Sequence, residues 1–210
     1  MKVDALIMAG GKGSRMGPDT IEKPMQVIGG KHVIERVVES VSKSKYVNKV
    51  LVSVSSNTPK TEDFLRDRGV DVICTTGNDF MNDMHTAFGY LDSEFVLTCP
   101  SDLPLLKTFT VDSFIKFFRP EMESAIAVVD KDVVVGTGIT PSFTIDIEGK
   151  DWVLSGLCIS DRQKTLDGVY LKETYMKTDW VDLAVNVNTQ HELALSRAYF
   201  CDHSRSRISL

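Results

Sequence analysis

The sequence predicts an α/β fold, a three-layer, mostly parallel sheet covered by helices on both faces. Three observations point to it. Short apolar runs alternate with amphipathic segments from Val3 to Val129, the rhythm of strand, helix, strand. The first run, Val3 to Ala9, stops at Gly10-Gly11, as a buried strand does when it enters a glycine loop. The rhythm then fails after Asp130 and returns near the end of the chain.

The elements follow in order. Val33, Val37, Val38 and Val41 recur at helical spacing, so His32 to about Lys43 reads as an amphipathic helix. Val50 to Val54 is the second strand. Pro59 to Arg68 reads as a helix, with Thr58 at the N-cap, Pro59 at the first helical position and Gly69 as its stop. Asp71 to Cys74 is the third strand, Met81 to Leu91 a helix, and Phe95 to Cys99 the fourth strand, ending at Pro100-Ser101-Asp102. A helix over Thr110 to Phe118 precedes the strand Ala125 to Val129. From Lys131 to Tyr175, Gly136, Gly138, Pro141 and the alternating Phe143 to Ile147 predict a small antiparallel excursion or lid. Regularity returns at Asp182 to Asn188, and Gln190 to Phe200 is the closing helix. His203 to Leu210 is a polar end expected to fray.

Composition bounds the function. Hydrophobic residues make up 42% of the 210, and a chain of this size buries roughly 70% of its unfolded surface. A charged fraction of 25% is ordinary for a folded domain. The net charge of −5 argues against a general nucleic-acid binder, which needs a cationic face. No run approaches the ~18 apolar residues of a membrane span. Met1-Lys2-Val3-Asp4 does not open a signal peptide, so a cytoplasmic protein is expected. The four cysteines, Cys74, Cys99, Cys158 and Cys201, stand far apart with no CxxC pair. Zinc or a disulfide framework is therefore not expected. Three of them lie in or beside apolar segments, which predicts buried, inert thiols.

Chemistry concentrates in Ala9-Gly10-Gly11-Lys12-Gly13-Ser14-Arg15-Met16-Gly17, followed by Glu22-Lys23-Pro24. Glycines free the backbone for positive φ, and exposed N–H groups then form an anion cradle. That cradle would lie at the carboxyl edge of the sheet, where open parallel sheets bind ligands. Lys12, Arg15 and Lys23 add three cations, so a polyphosphate is the natural guest. The GxxxxGK[ST] spacing of a P-loop does not occur. A GxGxxG fingerprint fails because Met16 stands where its third glycine belongs. Asp102 follows an apolar strand. Alone it could be a turn residue or cap, but beside a phosphate loop it makes sense as a Mg²⁺ ligand. Asn188 or Thr189 could cap the last helix, and an amide oxygen can equally serve a hard cation.

Leu6-x-Met8-Ala9-Gly10-Gly11-x-Gly13-x-Arg15-Met16-Gly17 with Lys23-Pro24 resembles the nucleotidyltransferase superfamily of sugar-1-phosphate, molybdenum-cofactor and isoprenoid-cytidylyl transferases. The resemblance implies a Rossmann-like, GT-A-like nucleotidyltransferase fold in one domain, residues 1–210. Residues 131–177 would be a variable acceptor-side excursion. It implies catalytic Arg15 and Lys23, and Mg²⁺ on Asp102 and Asn188. It also implies a nucleotide site of Ala9, Gly10, Gly11, Lys12 and Gly13, with Gly156 in the turn that approaches the ribose. Asn57-Thr58-Pro59-Lys60-Thr61, Ser101-Asp102-Leu103 and Asn186-Val187-Asn188-Thr189 resemble the archaeal guanylyltransferase branch that uses GTP and adenosylcobinamide phosphate in cobalamin biosynthesis. Candidates for the guanine edge are Asn57, Thr58, Thr76 and Asp83, with Asp83 equally readable as a solvated helix residue. Other acceptors within the superfamily, molybdenum cofactor or a sugar phosphate, stay open. So do a non-catalytic nucleotide-sensing module and a homodimer.

Overall fold

The structure, a computed structural model, describes residues 1–17 and 21–205. The polar end from residue 206 onward lies outside the described residues. The chain begins with β1 (Val3–Met8), then β2 (Val27–Ile28) and β3 (Lys31–His32) as a small hairpin, α1 (Val33–Ser42), β4 (Val47–Ser55) and α2 (Pro59–Arg66). It continues through β5 (Asp71–Thr75), α3 (Phe80–Phe88), β6 (Phe95–Pro100), α4 (Thr108–Phe117), β7 (Ser124–Asp130) and α5 (Lys131–Gly136). The last elements are β8 (Thr144–Ile147), β9 (Lys150–Asp161), α6 (Arg162–Leu166), β10 (Glu173–Thr178), α7 (Val181–Ala184) and α8 (Gln190–Arg205).

The main sheet runs β10-β7-β9-β6-β1-β4-β5, with β8 paired to β9. β1 is parallel to both β4 and β6, β5 is parallel to β4, and β10 is parallel to β7. Alternation along β1 explains the layers. Val3, Ala5 and Ile7 pack with Ile34 and Val37 of α1 and Phe114 of α4. Leu6 faces the other way, onto Ala87 and Phe88 of α3, with Met8 packed beside them. β1 is central and buried from Val3 to Ile7, with partly buried Met8 at its carboxyl end, so that end opens at the middle of the sheet edge.

Three expectations change. The excursion is antiparallel as expected but is not a lid, because β9 lies inside the sheet, antiparallel to β6 on one side and β7 on the other. Buried Val153, Leu157 and Ile159 belong to the main core, which draws the strand inward. The run Asp182 to Asn188 is not a strand. It is the single helical turn α7 followed by an irregular segment, because buried Asp182 is taken up by the Lys107 N–H and the Thr110 hydroxyl at the start of α4. Cys74 is exposed on edge strand β5, whereas Cys99 is buried. No helix among the described residues is long and apolar enough to cross a membrane.

Candidate nucleotide and metal site

The glycine loop leaves β1 at the centre of the carboxyl edge. Ala9 N–H donates to Ser53 O at 2.8 Å and Ser101 N–H to Met8 O at 3.3 Å, so the chain ends of β1, β4 and β6 are laced together. Gly10 sits against β4, where a Cβ would lie 3.1 Å from the Val54 carbonyl carbon. Gly13, at φ +60°, turns the chain into a 3-10 turn, Ser14–Met16. Beneath the loop a cleft of about 450 Å³ opens, walled by Lys12, Lys23, Asp79, Phe80 and Asp102 among others.

Arg15, Lys23, Asp102 and Asn188 come together from four parts of the chain. Lys23 Nζ donates to Asp102 Oδ2 at 2.7 Å and to Asn188 Oδ1 at 3.2 Å. One Arg15 guanidinium nitrogen donates to the same Asn188 oxygen at 3.0 Å. The oxygens of Asp102 and Asn188 thus face one cationic centre, where the Lys23 ammonium now stands. Hard oxygen donors of this kind suit Mg²⁺, which takes one or two protein ligands and completes its shell with phosphate oxygens and water. No cluster of three or more His, Cys, Asp or Glu among the described residues forms a metal cage, so bound phosphates would have to supply part of the shell.

Both ends of this constellation are pinned by carboxylates outside it. Glu22, next to Lys23, accepts from the Lys60 N–H at 2.8 Å, the Thr61 N–H at 2.7 Å and the Thr61 hydroxyl at 2.6 Å, at the N-terminus of α2. Thr58 holds the N-cap position but does not cap with its side chain. Its hydroxyl turns back to the Ser55 carbonyl, and Glu22 does the capping. At the other end, Thr189 and Glu192 form a capping box on α8. The Thr189 hydroxyl accepts from Glu192 N–H, while the Glu192 carboxylate accepts from the N–H groups of Asn188 (2.7 Å) and Thr189 (3.0 Å). Thr189 therefore caps the helix, and the Asn188 side chain is left to meet Arg15 and Lys23.

The candidates for the base edge fall elsewhere. Thr58 is 1% exposed and internally bonded. The Asn57 amide bridges the Gly10 and Gly77 carbonyls at 3.2 Å each, tying two loops together. Asp83 is buried rather than solvated, and accepts from Thr76 N–H, the Thr76 hydroxyl and Gly77 N–H at 2.7 to 2.9 Å. It lines the cleft floor but its carboxylate shapes the 76–77 loop. Gly77 is required there, since its φ is +68° and a Cβ would meet Ser55 Oγ at 2.3 Å. Gly156, also at positive φ, packs on Pro100, two residues before Asp102. Sequence reasoning missed Ser53, Gly77, Asp79, Phe80 and Ser101 in the cleft wall. A glycine in Thr76-Gly77-Asn78-Asp79 after a strand was the available signal. Phe80, 58% exposed, gave none.

The fold and this edge site define a nucleotidyltransferase of the α/β type. Residues 5–193 match the MobA-like NTP transferase domain, and the chain belongs to that family. It is 33% identical over 205 residues to the adenosylcobinamide-phosphate guanylyltransferase of Methanocaldococcus jannaschii, covering 92% of this chain and 95% of that protein. It is 29% identical over 139 residues to a molybdenum cofactor guanylyltransferase of Shewanella baltica, covering 65% and 63%. Among solved structures, a nucleotidyl transferase from Methanothermobacter superposes with a TM-score of 0.72 at 16% identity, covering 96% of this chain and 99% of that one. A CMP:2-keto-3-deoxy-manno-octonic acid synthetase superposes with 0.70 at 15%, covering 97% and 100%.

Proposed function

We propose that this protein transfers GMP from GTP to the phosphate of adenosylcobinamide phosphate and releases pyrophosphate. The observation that carries the reading is the convergence of Arg15, Lys23, Asp102 and Asn188 beside the glycine loop. The near full-length similarity to the Methanocaldococcus enzyme supports the choice of donor and acceptor.

The acceptor is already a phosphate anion, so an oxygen of it attacks the α-phosphorus without a general base. The bond from the α-phosphorus to the bridging oxygen breaks, and that oxygen leaves with pyrophosphate. The work is positioning and charge neutralisation. The loop N–H groups from Gly10 to Gly13 and Lys12 hold the β and γ phosphates. Arg15 neutralises the leaving pyrophosphate and Lys23 the α-phosphoryl oxygens. Asp102 and Asn188 would hold Mg²⁺, which supplies charge neutralisation when bound. Phe80 offers the base a flat apolar wall, and the backbone of the 76–79 loop faces its polar edge.

The Shewanella relative favours a second reading, transfer to the molybdenum cofactor, through a shorter alignment. One assay separates them: pyrophosphate release from GTP, ATP, CTP and UTP, with and without cobinamide phosphate. GTP with cobinamide phosphate is expected to give release well above every other combination. Release that ignores cobinamide phosphate but rises with molybdopterin would overturn the acceptor assignment.

A further inference from the structure

The end of β7, the start of β9 and the segment 176–180 build a second cleft on the same sheet edge. It measures about 300 Å³ and is lined by Asp130, Trp152, Met176, Lys177, Asp179 and Trp180. The chain has two tryptophans, and both are here. We infer that this cleft seats the flat ring system of the phosphate-bearing acceptor, a corrinoid macrocycle. The inference rests on the proposed transfer to a phosphate monoester and names where the body of that acceptor lies.

Topology places the cleft on the acceptor side. The glycine loop and the 76–79 loop occupy the β1, β4 and β5 half of the edge, which leaves the β9, β7 and β10 half for the second substrate. β6 leads into Asp102 and β7 ends at Asp130, with only β9 between them. Two strand spacings of ~4.8 Å separate them sideways, and because Pro100 lies level with Gly156 while Asp130 pairs with Trp152, an offset of four residues at ~3.3 Å brings the two strand ends to roughly 16 Å apart. An acceptor whose phosphate meets the α-phosphorus near Asp102 reaches the cleft when an extended linker joins its phosphate to its ring. The walls are joined directly to the site. Trp152 precedes Gly156 by four residues in β9, and Gly156 packs on Pro100. From Trp180 the chain passes through α7 to Asn188.

The chemistry fits a broad, neutral, amide-bearing ring. Two indoles and Met176 give apolar contact area, and aromatic faces favour flat partners. Phe109, 71% exposed, extends this surface beside Trp180, ring centroids 6.4 Å apart. The rim mixes acceptors and donors: Asp130 pairs with Lys150, and Lys177 stands over the Trp152 ring. Carboxamides, which both donate and accept, match such a rim better than a highly charged group does. Among the described residues the buried Trp152 Nε1 has no hydrogen-bond partner, and a carbonyl of the acceptor would reach it once the indole turns toward the cleft.

The test uses the full chain with GTP and cobinamide phosphate. Trp152→Ala and Trp180→Ala are each expected to raise the acceptor KM about tenfold or more, as central aromatic anchors do, and to leave the GTP KM unchanged. An intact GTP-induced thermal shift identifies folded variants, and Trp152→Phe and Trp180→Phe serve where alanine fails to fold. Cobinamide phosphate should also quench tryptophan emission of the wild type in saturable fashion without GTP or Mg²⁺. Folded variants with wild-type acceptor KM would overturn the inference and leave the transferase reading standing. Wild type that transfers GMP to molybdopterin and not to cobinamide phosphate would overturn both acceptor assignments. Wild type with no GTP-dependent transfer to any phosphate acceptor would overturn the transferase reading itself.

Discussion

Asn188 Oδ1 accepts from Arg15 and Lys23 together, and Lys23 also reaches Asp102 at 2.7 Å. The cations proposed to neutralise phosphate are thus held by the two oxygens proposed to hold Mg²⁺. Arg15→Ala and Lys23→Ala should each lower turnover by roughly 10²-fold, worth about 2.7 kcal/mol of transition-state stabilisation, with little change in ligand-free melting temperature. Near-wild-type kcat in both would remove them from the mechanism. Asp102→Asn keeps shape and turn propensity but loses the charge that helps displace water from Mg²⁺. Turnover measured against Mg²⁺ concentration should fall at every concentration, whereas a turn residue would tolerate the change. The thiols give an independent check. Burial raises Cys99 far above the ordinary thiol range and pushes Cys158 up to about 11. The thiolate forms only as pH rises through the folded pKa, so both should stay protonated at pH 8. Iodoacetamide there should label exposed Cys74 and Cys201 first. These residues also show what sequence can and cannot say. Arg15, Lys23 and Asp102 were legible because charge beside a glycine loop has few structural uses. Asn57, Thr58 and Asp83 have the same polar character, but their groups are consumed by Gly10, Ser55 and Thr76, and spacing along a chain does not reveal that.

The short elements carry the site on capped helix ends. Glu22 crosses 39 residues of sequence to hold Thr61 at the start of α2, and in doing so anchors the residue beside Lys23. Losing a helix N-cap typically costs ~0.5–2 kcal/mol, so Glu22→Ala should lower the melting temperature. It should also lower kcat more than the stability loss explains, because Lys23 loses its anchor. A kcat equal to wild type at a temperature where the variant is folded would refute the second half. Gly77→Ala should raise the GTP KM, since the new Cβ collides with Ser55 Oγ and the φ of +68° disfavours it. Glu22 was not legible as a cap, because sequence rules look for capping partners three residues away. Pro59 at the first turn of α2 was readable from its positional preference, whereas at α8 the sequence left Asn188 and Thr189 both open as the cap, and the Thr189/Glu192 box decides for Thr189.

At the scale of the whole molecule, GTP should raise the melting temperature more than ATP, CTP or UTP do, following RT ln(1 + [L]/Kd), about 2.7 kcal/mol at a hundredfold excess over Kd. A larger shift with CTP or ATP would remove the guanylyl assignment and leave the family. The strand and helix rhythm through Val129 made most of the sheet legible. The order β7-β9-β6 was not, because pairing partners are chosen by which edges remain free after the helices have packed, and local periodicity carries no record of that. This order has a consequence for synthesis. A chain emerging from the ribosome completes β1, β4, β5, β6 and β7 while the slot between β6 and β7 is still open. Both facing edges stay unpaired until Asp161 has emerged, and open edges invite pairing between chains. Residues 1–149 made alone should therefore aggregate, whereas in the full chain the amides of β9 should exchange only through global opening. By filling that slot, β9 locks the β5-to-β6 half and the β7-β10 half of the sheet into one cooperative unit.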